Sequence, residues 1–271
     1  MDRADQSPDR HLHLLLPDPP LDARCVPRGR LTVSDTSRRR RVSRTGKVLA
    51  GVAVALVVAG VGVWWFVLRD TAAPKPRVDA VAASAPTGAE SRSSPDGAWA
   101  VKPSDTVFVG YRIQELFAAA TVKRTATGRT PKVRGTMSVS GRTVSAAQVV
   151  ADLTGLTSDQ ARRDSAIRER GLETDRFPET TFTLTAPITI PSAPVRGTSY
   201  RVTATGDLTL HGVTRSVQVA LEAKWNGATI AVAGSAPVVL GDYGMAPIRI
   251  PGFIETDDRG TLELQLLFVP A

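Results

Sequence analysis

The stretch SYRVTATGDLTLHGVTRSVQVALEAKWNG, Ser199 to Gly227, decides the fold. Tyr200, Val202, Ala204, Leu208 and Leu210 alternate with Arg201, Thr203, Thr205, Asp207 and Thr209. After the His211-Gly212 step, Val217, Val219, Leu221, Ala223 and Trp225 alternate with Gln218, Glu222 and Lys224. A period of two puts successive side chains on opposite faces of a strand, so each run reads as a half-buried strand with one wet face. Asn226-Gly227 then supplies the pair that a tight type I′ hairpin favours, because both of its central residues need positive φ.

The same signal recurs on either side. Val107, Val109, Tyr111 and Ile113 alternate with Phe108, Gly110, Arg112 and Gln114, and Val133, Met137 and Val139 with Arg134, Thr136 and Ser138. Strands are predicted near 107–115, 119–125, 132–140, 143–153, 180–185, 199–210, 214–225, 229–239 and 261–269. One helix interrupts them, capped by Thr157 or Ser158, carrying the i, i+4 pair Asp159 and Arg163, and stopped by Gly171. Eight or nine hairpin-linked strands in so short a chain close into an antiparallel barrel, because closure removes exposed edges. The interior of an eight-stranded barrel holds packed side chains or one small ligand.

The composition narrows the chemistry. The 271 residues carry 34 Lys and Arg against 26 Asp and Glu, with 42% apolar residues, enough for a real core. One Cys closes no internal disulfide and supplies no thiolate cluster for zinc or iron and sulfur. His11 and His13 lie far in sequence from His211, so no metal site is expected. His211 occupies a hairpin turn, no G-x-S-x-G elbow is present, and Asp207 is the only carboxylate beside it in sequence. A hydrolytic triad has no support there, and the protein is not expected to be an enzyme.

Upstream, VLAGVAVALVVAGVGVWWFVL, Val48 to Leu68, holds no charge and no strongly polar side chain. As a helix it would extend roughly 32 Å, the thickness of a bilayer's hydrocarbon core. A single transmembrane helix is expected over residues 47–69, with Trp64, Trp65 and Phe66 at its interfacial end. Eight basic residues lie between Arg28 and Lys47, including Arg38 to Arg41, against Asp35 alone. That bias holds the N-terminus in the cytoplasm and places everything after Leu68 outside it, and it explains the arginine block without nucleic acid. The core is too long for a cleaved signal peptide. Residues 1–46 read as a disordered basic cytoplasmic tail, 70–98 as an Ala, Pro and Ser-rich tether, and 99–271 as the barrel.

Several stretches carry a family likeness: VGYRIQE (Val109 to Glu115), ATGRTPKVRGTMSVSG (Ala126 to Gly141), VADLTGLTSDQARRDSAIRERGLETDRFPETTF (Val150 to Phe182), GDLTLHGVTRSV (Gly206 to Val217) and the DYG-containing tail Val238 to Phe268. In this order they resemble the YceI-like proteins, lipocalin-like barrels associated with polyisoprenoids. The resemblance implies an apolar lumen holding an isoprenoid chain, such as a quinone tail or carrier lipid, and no chemistry. It offers no short catalytic signature to carry over. Taking the apolar parity as inward, the lumen candidates are Val109, Tyr111, Ile113, Met137, Val139, Phe182, Leu184, Val202, Leu208, Leu210, Val219, Leu221, Leu264, Leu266 and Phe268. Gly135, Ala204, Gly206 and Ala223 are small inward positions that would leave volume. Arg163 and Asp164 are candidates for a lipid headgroup at the mouth, and Asp242 and Tyr243 for a gate, although an ion pair and a turn explain them as simply. The rival expectation is a packed barrel without ligand, serving as an envelope interaction module that meets other envelope proteins or a second copy of itself.

Overall fold

The computed structural model describes residues 44–63, 72–86, 88, 90–117, 123–250 and 254–271. The chain divides into two units, 1–60 and 61–271. Helix α1, Arg44–Val63, lies in the first except for its last three residues, and on it Leu49, Val52, Val54, Leu56, Val57 and Val58 are all more than half exposed. Among the described residues no helix is long and apolar enough to cross a membrane. Trp64 to Leu68, which complete the apolar run, and residues 1–43 lie outside the described residues.

After the end of α1, the second unit holds the short helix α2, Val78–Ala82, followed by strands β1 (Gly97–Val101), β2 (Phe108–Phe117), β3 (Lys123–Thr130), β4 (Val133–Ser140) and β5 (Thr143–Asp152). Then come β6 (Thr157–Ser158), helix α3 (Ala161–Ala166), β7 (Glu179–Leu184), β8 (Ile188–Thr189) and β9 (Ser199–Leu210). The chain finishes with β10 (Val213–Trp225), β11 (Ile230–Val239), β12 (Arg249–Ile250) and β13 (Ile254–Pro270). All pairings are antiparallel. The ring β1-β4-β5-β7-β9-β10-β11-β13 closes where Trp99 pairs Pro270, giving an eight-stranded barrel. Along the rest of its length, β13 pairs with β2, from Ile254 opposite Phe117 to Gln265 opposite Phe108. The all-β, closed antiparallel architecture is that expected from the alternation, with β9 spanning the expected residues.

The turns divide differently from the expectation. His211 and Gly212 both have positive φ, 51° and 73°, so the two-residue β9–β10 connection has the geometry assigned above to Asn226-Gly227. At the latter only Gly227 is in that region, at 101°. Asn226 Oδ1 instead accepts from the backbone N–H of Ala228 and Thr229, and the loop spreads over four residues. The expected single helix is split. Thr157 and Ser158 form a strand paired with β3, and α3 passes into a π-helical turn over Ile167–Gly171. Asp164 Oδ1 accepts from the Ser158 N–H (2.8 Å) and hydroxyl (2.6 Å), so the cap reaches backward from the helix to the strand.

The expected tether is the largest departure. Its described residues 73–86 pack on the outer wall of the barrel, whereas Gly97 and Ala98 already belong to β1, so the boundary expected at 98 falls inside the compact unit. Val78 (3% exposed) and Val81 (0%) join a buried cluster that includes Ala231, Ala233 and Leu267, the outward-facing residues of β11 and β13, and Val107, which precedes β2. The Ala73 N–H donates to Thr127 Oγ1 and the Arg77 N–H to Gln265 Oε1, each at 3.0 Å. Arg112 donates to the Ala73 carbonyl at 2.7 Å and Arg129 to that of Pro74. Both arginines flank buried Glu263 on β13. Proline and alanine masked this strap in the sequence because its apolar pair is only three residues apart, too short a run for any period to show.

Candidate functional site

The lumen holds two chambers. The one beneath α3 has a volume of about 590 Å³. Its strand walls are Val109, Tyr111, Ile113, Leu210, Val238 and Leu262. Its roof comes from irregular segments: Leu153 and Leu156, Ala166 to Leu172, and Leu240 to Ile248. Local chemistry fixes these pieces. Asp152 caps the turn Leu153–Gly155 by accepting from the Thr154 N–H. Gly244, at φ 70°, ends the turn Leu240–Tyr243. Ile248 and Thr256 then exchange two hydrogen bonds, Ile248 N–H to Thr256 Oγ1 at 2.9 Å and Thr256 N–H to the Ile248 carbonyl at 3.1 Å. A Cβ on Gly171 would sit 3.1 Å from Ile248 Cδ1, so the two roof segments touch.

A buried ion pair, Glu115 with Arg163, stands among these apolar walls. Glu115 follows Val109, Tyr111 and Ile113 on the inward parity of β2 and is 3% exposed. Its carboxylate accepts from Arg163 Nε (2.9 Å) and Nη2 (3.0 Å), a bidentate bond that ties α3 to the barrel wall. Arg163 Nη1 also donates to Asp159. The Tyr111 ring lies on Gly128, where a Cβ would be 2.3 Å from the ring, and its hydroxyl is buried with no hydrogen-bond partner among the described residues. Burial pushes this phenol well above its ordinary value, so it stays neutral. An unpaired buried hydroxyl costs stability, so Tyr111→Phe is expected to be neutral or to stabilise by up to about 1 kcal/mol in urea denaturation; a loss of that size would mean that the hydroxyl is bonded.

The second chamber lies toward Trp225, is almost wholly apolar and measures about 120 Å³. Of the lumen candidates, Val109, Tyr111, Ile113 and Leu210 line the larger space. Met137, Val139, Phe182, Leu184, Val202, Val219, Leu221, Leu264, Leu266 and Phe268 line the smaller. Leu208, 2% exposed, lines neither and packs with Leu153, Leu210, Val238, Tyr243 and Met245 between them. Two of the four small inward positions leave no volume. A Cβ on Gly206 would lie 2.4 Å from the Thr183 carbonyl oxygen and 2.5 Å from Phe182 Cζ, and one on Gly135 2.5 Å from the Gln148 carbonyl oxygen. Gly206→Ala is therefore expected to destabilise by roughly 1–3 kcal/mol through overpacking, read as a lower urea midpoint; an unchanged midpoint would show that both the Phe182 ring and the Thr183 carbonyl give way freely. Ala204 and Ala223 do face the smaller chamber.

The mouth candidates separate. Arg163 lines the larger chamber but is committed to Glu115 and Asp159, and Asp164 to Ser158. Tyr243 is core, 2% exposed, and Asp242 is exposed in the turn, its carbonyl accepting from Arg215 Nε. Neither of these two lines the chamber; their neighbours Leu240, Met245 and Ile248 do. His211 packs on Phe177, with Nε2 3.3 Å from Glu173 and Nδ1 3.2 Å from the Tyr243 carbonyl oxygen, so its carboxylate neighbour is not Asp207. Among the described residues no group of three or more His, Cys, Asp or Glu stands together to hold a metal ion.

A polyisoprenoid-binding domain from Saccharophagus degradans implicated in plant cell wall breakdown superposes with a TM-score of 0.51 at 17% identity, covering 64% of this chain and 98% of that one. BcnA of Burkholderia cenocepacia gives 0.43 at 19% identity, covering 58% and 95%. The YceI protein of Campylobacter jejuni gives 0.41 at 14% identity, covering 52% and 82%. No curated protein matches the chain. The profile of the YceI-like domain matches residues 99–268, from the first barrel strand to the last, and the chain belongs to the YceI-like family.

Proposed function

We propose that this protein holds a polyisoprenoid or similar long apolar molecule in the chamber beneath α3, for transport or storage and without chemistry. The observation that carries the reading is that chamber: about 590 Å³ of space walled by aliphatic side chains, within the range of small-molecule sites, in a barrel that could have been filled. Each methylene transferred from water into such walls contributes roughly 0.8 kcal/mol. The fold shared with a polyisoprenoid-binding domain supports the same ligand class. Among the described lining residues, Glu115 is neutralised by Arg163 and Arg112 is paired to Glu263, while Arg162 is exposed, so a ligand would enter the apolar interior for its hydrocarbon.

We also propose that the barrel is anchored to a membrane by the run Val48–Leu68, N-terminus cytoplasmic, barrel extracytoplasmic. A helix apolar on all faces finds a stable setting in lipid, and the exposed valines and leucines of α1 support that placement. The full chain in mild detergent is expected to take up farnesol, with Ala166→Trp, which fills the chamber roof, abolishing uptake. Equal uptake by that variant would overturn the site, and no uptake by the natural chain would overturn the function. In right-side-out membrane vesicles, added protease is expected to reach the barrel; protection would overturn the orientation.

A further inference from the structure

The two chambers share no lining residue among those described. Between them lies a layer of inward side chains from neighbouring strands: Phe182 of β7, Leu208 of β9, Val217 of β10 and Ala236 of β11. Phe182 and Val217 are the two residues that pack against both of the clusters flanking this layer. Leu208 and Ala236 within it are 2% and 1% exposed. Phe182 is the widest member, and it faces Leu208 directly across the β7–β9 ladder. Its ring leans over Gly206, the one position on the facing strand where the absence of a Cβ makes room for it.

From these contacts we infer that Phe182 sets the length of hydrocarbon the protein accepts, a specificity-determining residue that rests on the proposed lipid-binding function. The chamber beneath α3 runs from Glu115 to Val109 on β2, six residues or about 20 Å of strand. A tail entering there meets the Phe182 layer and stops. The smaller apolar chamber behind it is a blind extension, closed off from the first by that layer, of which the Phe182 ring is the widest part. Isoprene units beyond the stop stay outside and add nothing to binding, whereas each further methylene buried inside raises affinity roughly fourfold.

The test is a tail-length series, geraniol, farnesol, geranylgeraniol and geranylfarnesol, titrated into the full chain in mild detergent. Affinity for the natural protein is expected to climb with length and then level off. Phe182→Leu keeps an apolar side chain in the layer while opening it, and moves the break to a longer tail, with a gain of about tenfold, the worth of one to two further buried methylenes, for the first prenol beyond the natural break. Phe182→Ala opens it further but removes more of the core. Adding Ala204→Leu to Phe182→Leu, which fills the smaller chamber, takes the gain away. Affinity that rises through the whole series without a break, or a break at the same prenol in Phe182→Leu, overturns the inference and leaves lipid binding standing. Failure of the natural protein to bind any prenol overturns the functional reading, and this one with it.

Discussion

A fragment beginning at Gly97, the first residue of β1, is expected to be much less stable than one beginning at Ala72. The strap between them is part of the barrel's outer core. Removing it exposes the patch that Val78 and Val81 cover, including Ala231, Ala233 and Leu267. It also takes away the carbonyls of Ala73 and Pro74 from two arginines that flank a buried glutamate. Burial of the two valines contributes roughly 3–6 kcal/mol, and ordering the strap offsets part of this. A net loss of about 2–4 kcal/mol is a large share of a typical domain's stability. Urea denaturation of the two fragments decides it: equal midpoints would mean that the strap only rests on the barrel. The ion pair between Lys224 and Asp79 contributes little, because the Asp79 side chain is 65% exposed.

Arg163→Met is expected to cost more than any other single change at the site, about 3–5 kcal/mol, because it leaves the Glu115 carboxylate buried without its partner. Both members are shielded from solvent, at 10% and 3% side-chain exposure, so water does not replace the lost bonds. The double variant Arg163→Met with Glu115→Leu removes the charge together with its partner and is expected to recover most of the loss. Denaturation midpoints of the three proteins measure the coupling. A double variant no more stable than Arg163→Met would show that the carboxylate is satisfied elsewhere. Because the pair ties α3 to β2, the single variant is also expected to loosen the roof of the chamber, seen as faster amide exchange over residues 161–171.

The barrel was legible in the sequence because its signal is the period of two itself. Leu208, Val219 and Leu266 each lie on the side that their neighbours' polarity dictates, and most apolar strand residues lining the chambers follow that parity, a bulge in β5 shifting it between Val144 and Ala147. Leu262 and Val238 share the parity and could have been added by continuing it along β13 and β11. Glu115 was legible in the same way: a carboxylate on an inward position is a signal that a partner must exist, and an arginine in the one predicted helix was available. The roof was not legible. Leu153, Ile167, Met245 and Ile248 come from turns, a π-helical segment and a loop, where no period relates one side chain to the next. The strap was hidden because proline, alanine and serine read as a linker whenever too few apolar residues stand between them. Nor could parity distinguish hollow from filled. Gly206 and Gly135 look like vacant positions in the sequence, and the neighbouring ring and backbone occupy them.

The central claim is that the chamber under α3 is a lipid site. Native mass spectrometry of the full chain, purified from membranes in mild detergent and then extracted with organic solvent, tests it most directly. The account predicts a one-to-one adduct whose extract contains a long-chain apolar lipid, and an adduct lost on Ala166→Trp. A chain that flies only at its own mass, and that takes up no added prenol, would contradict it.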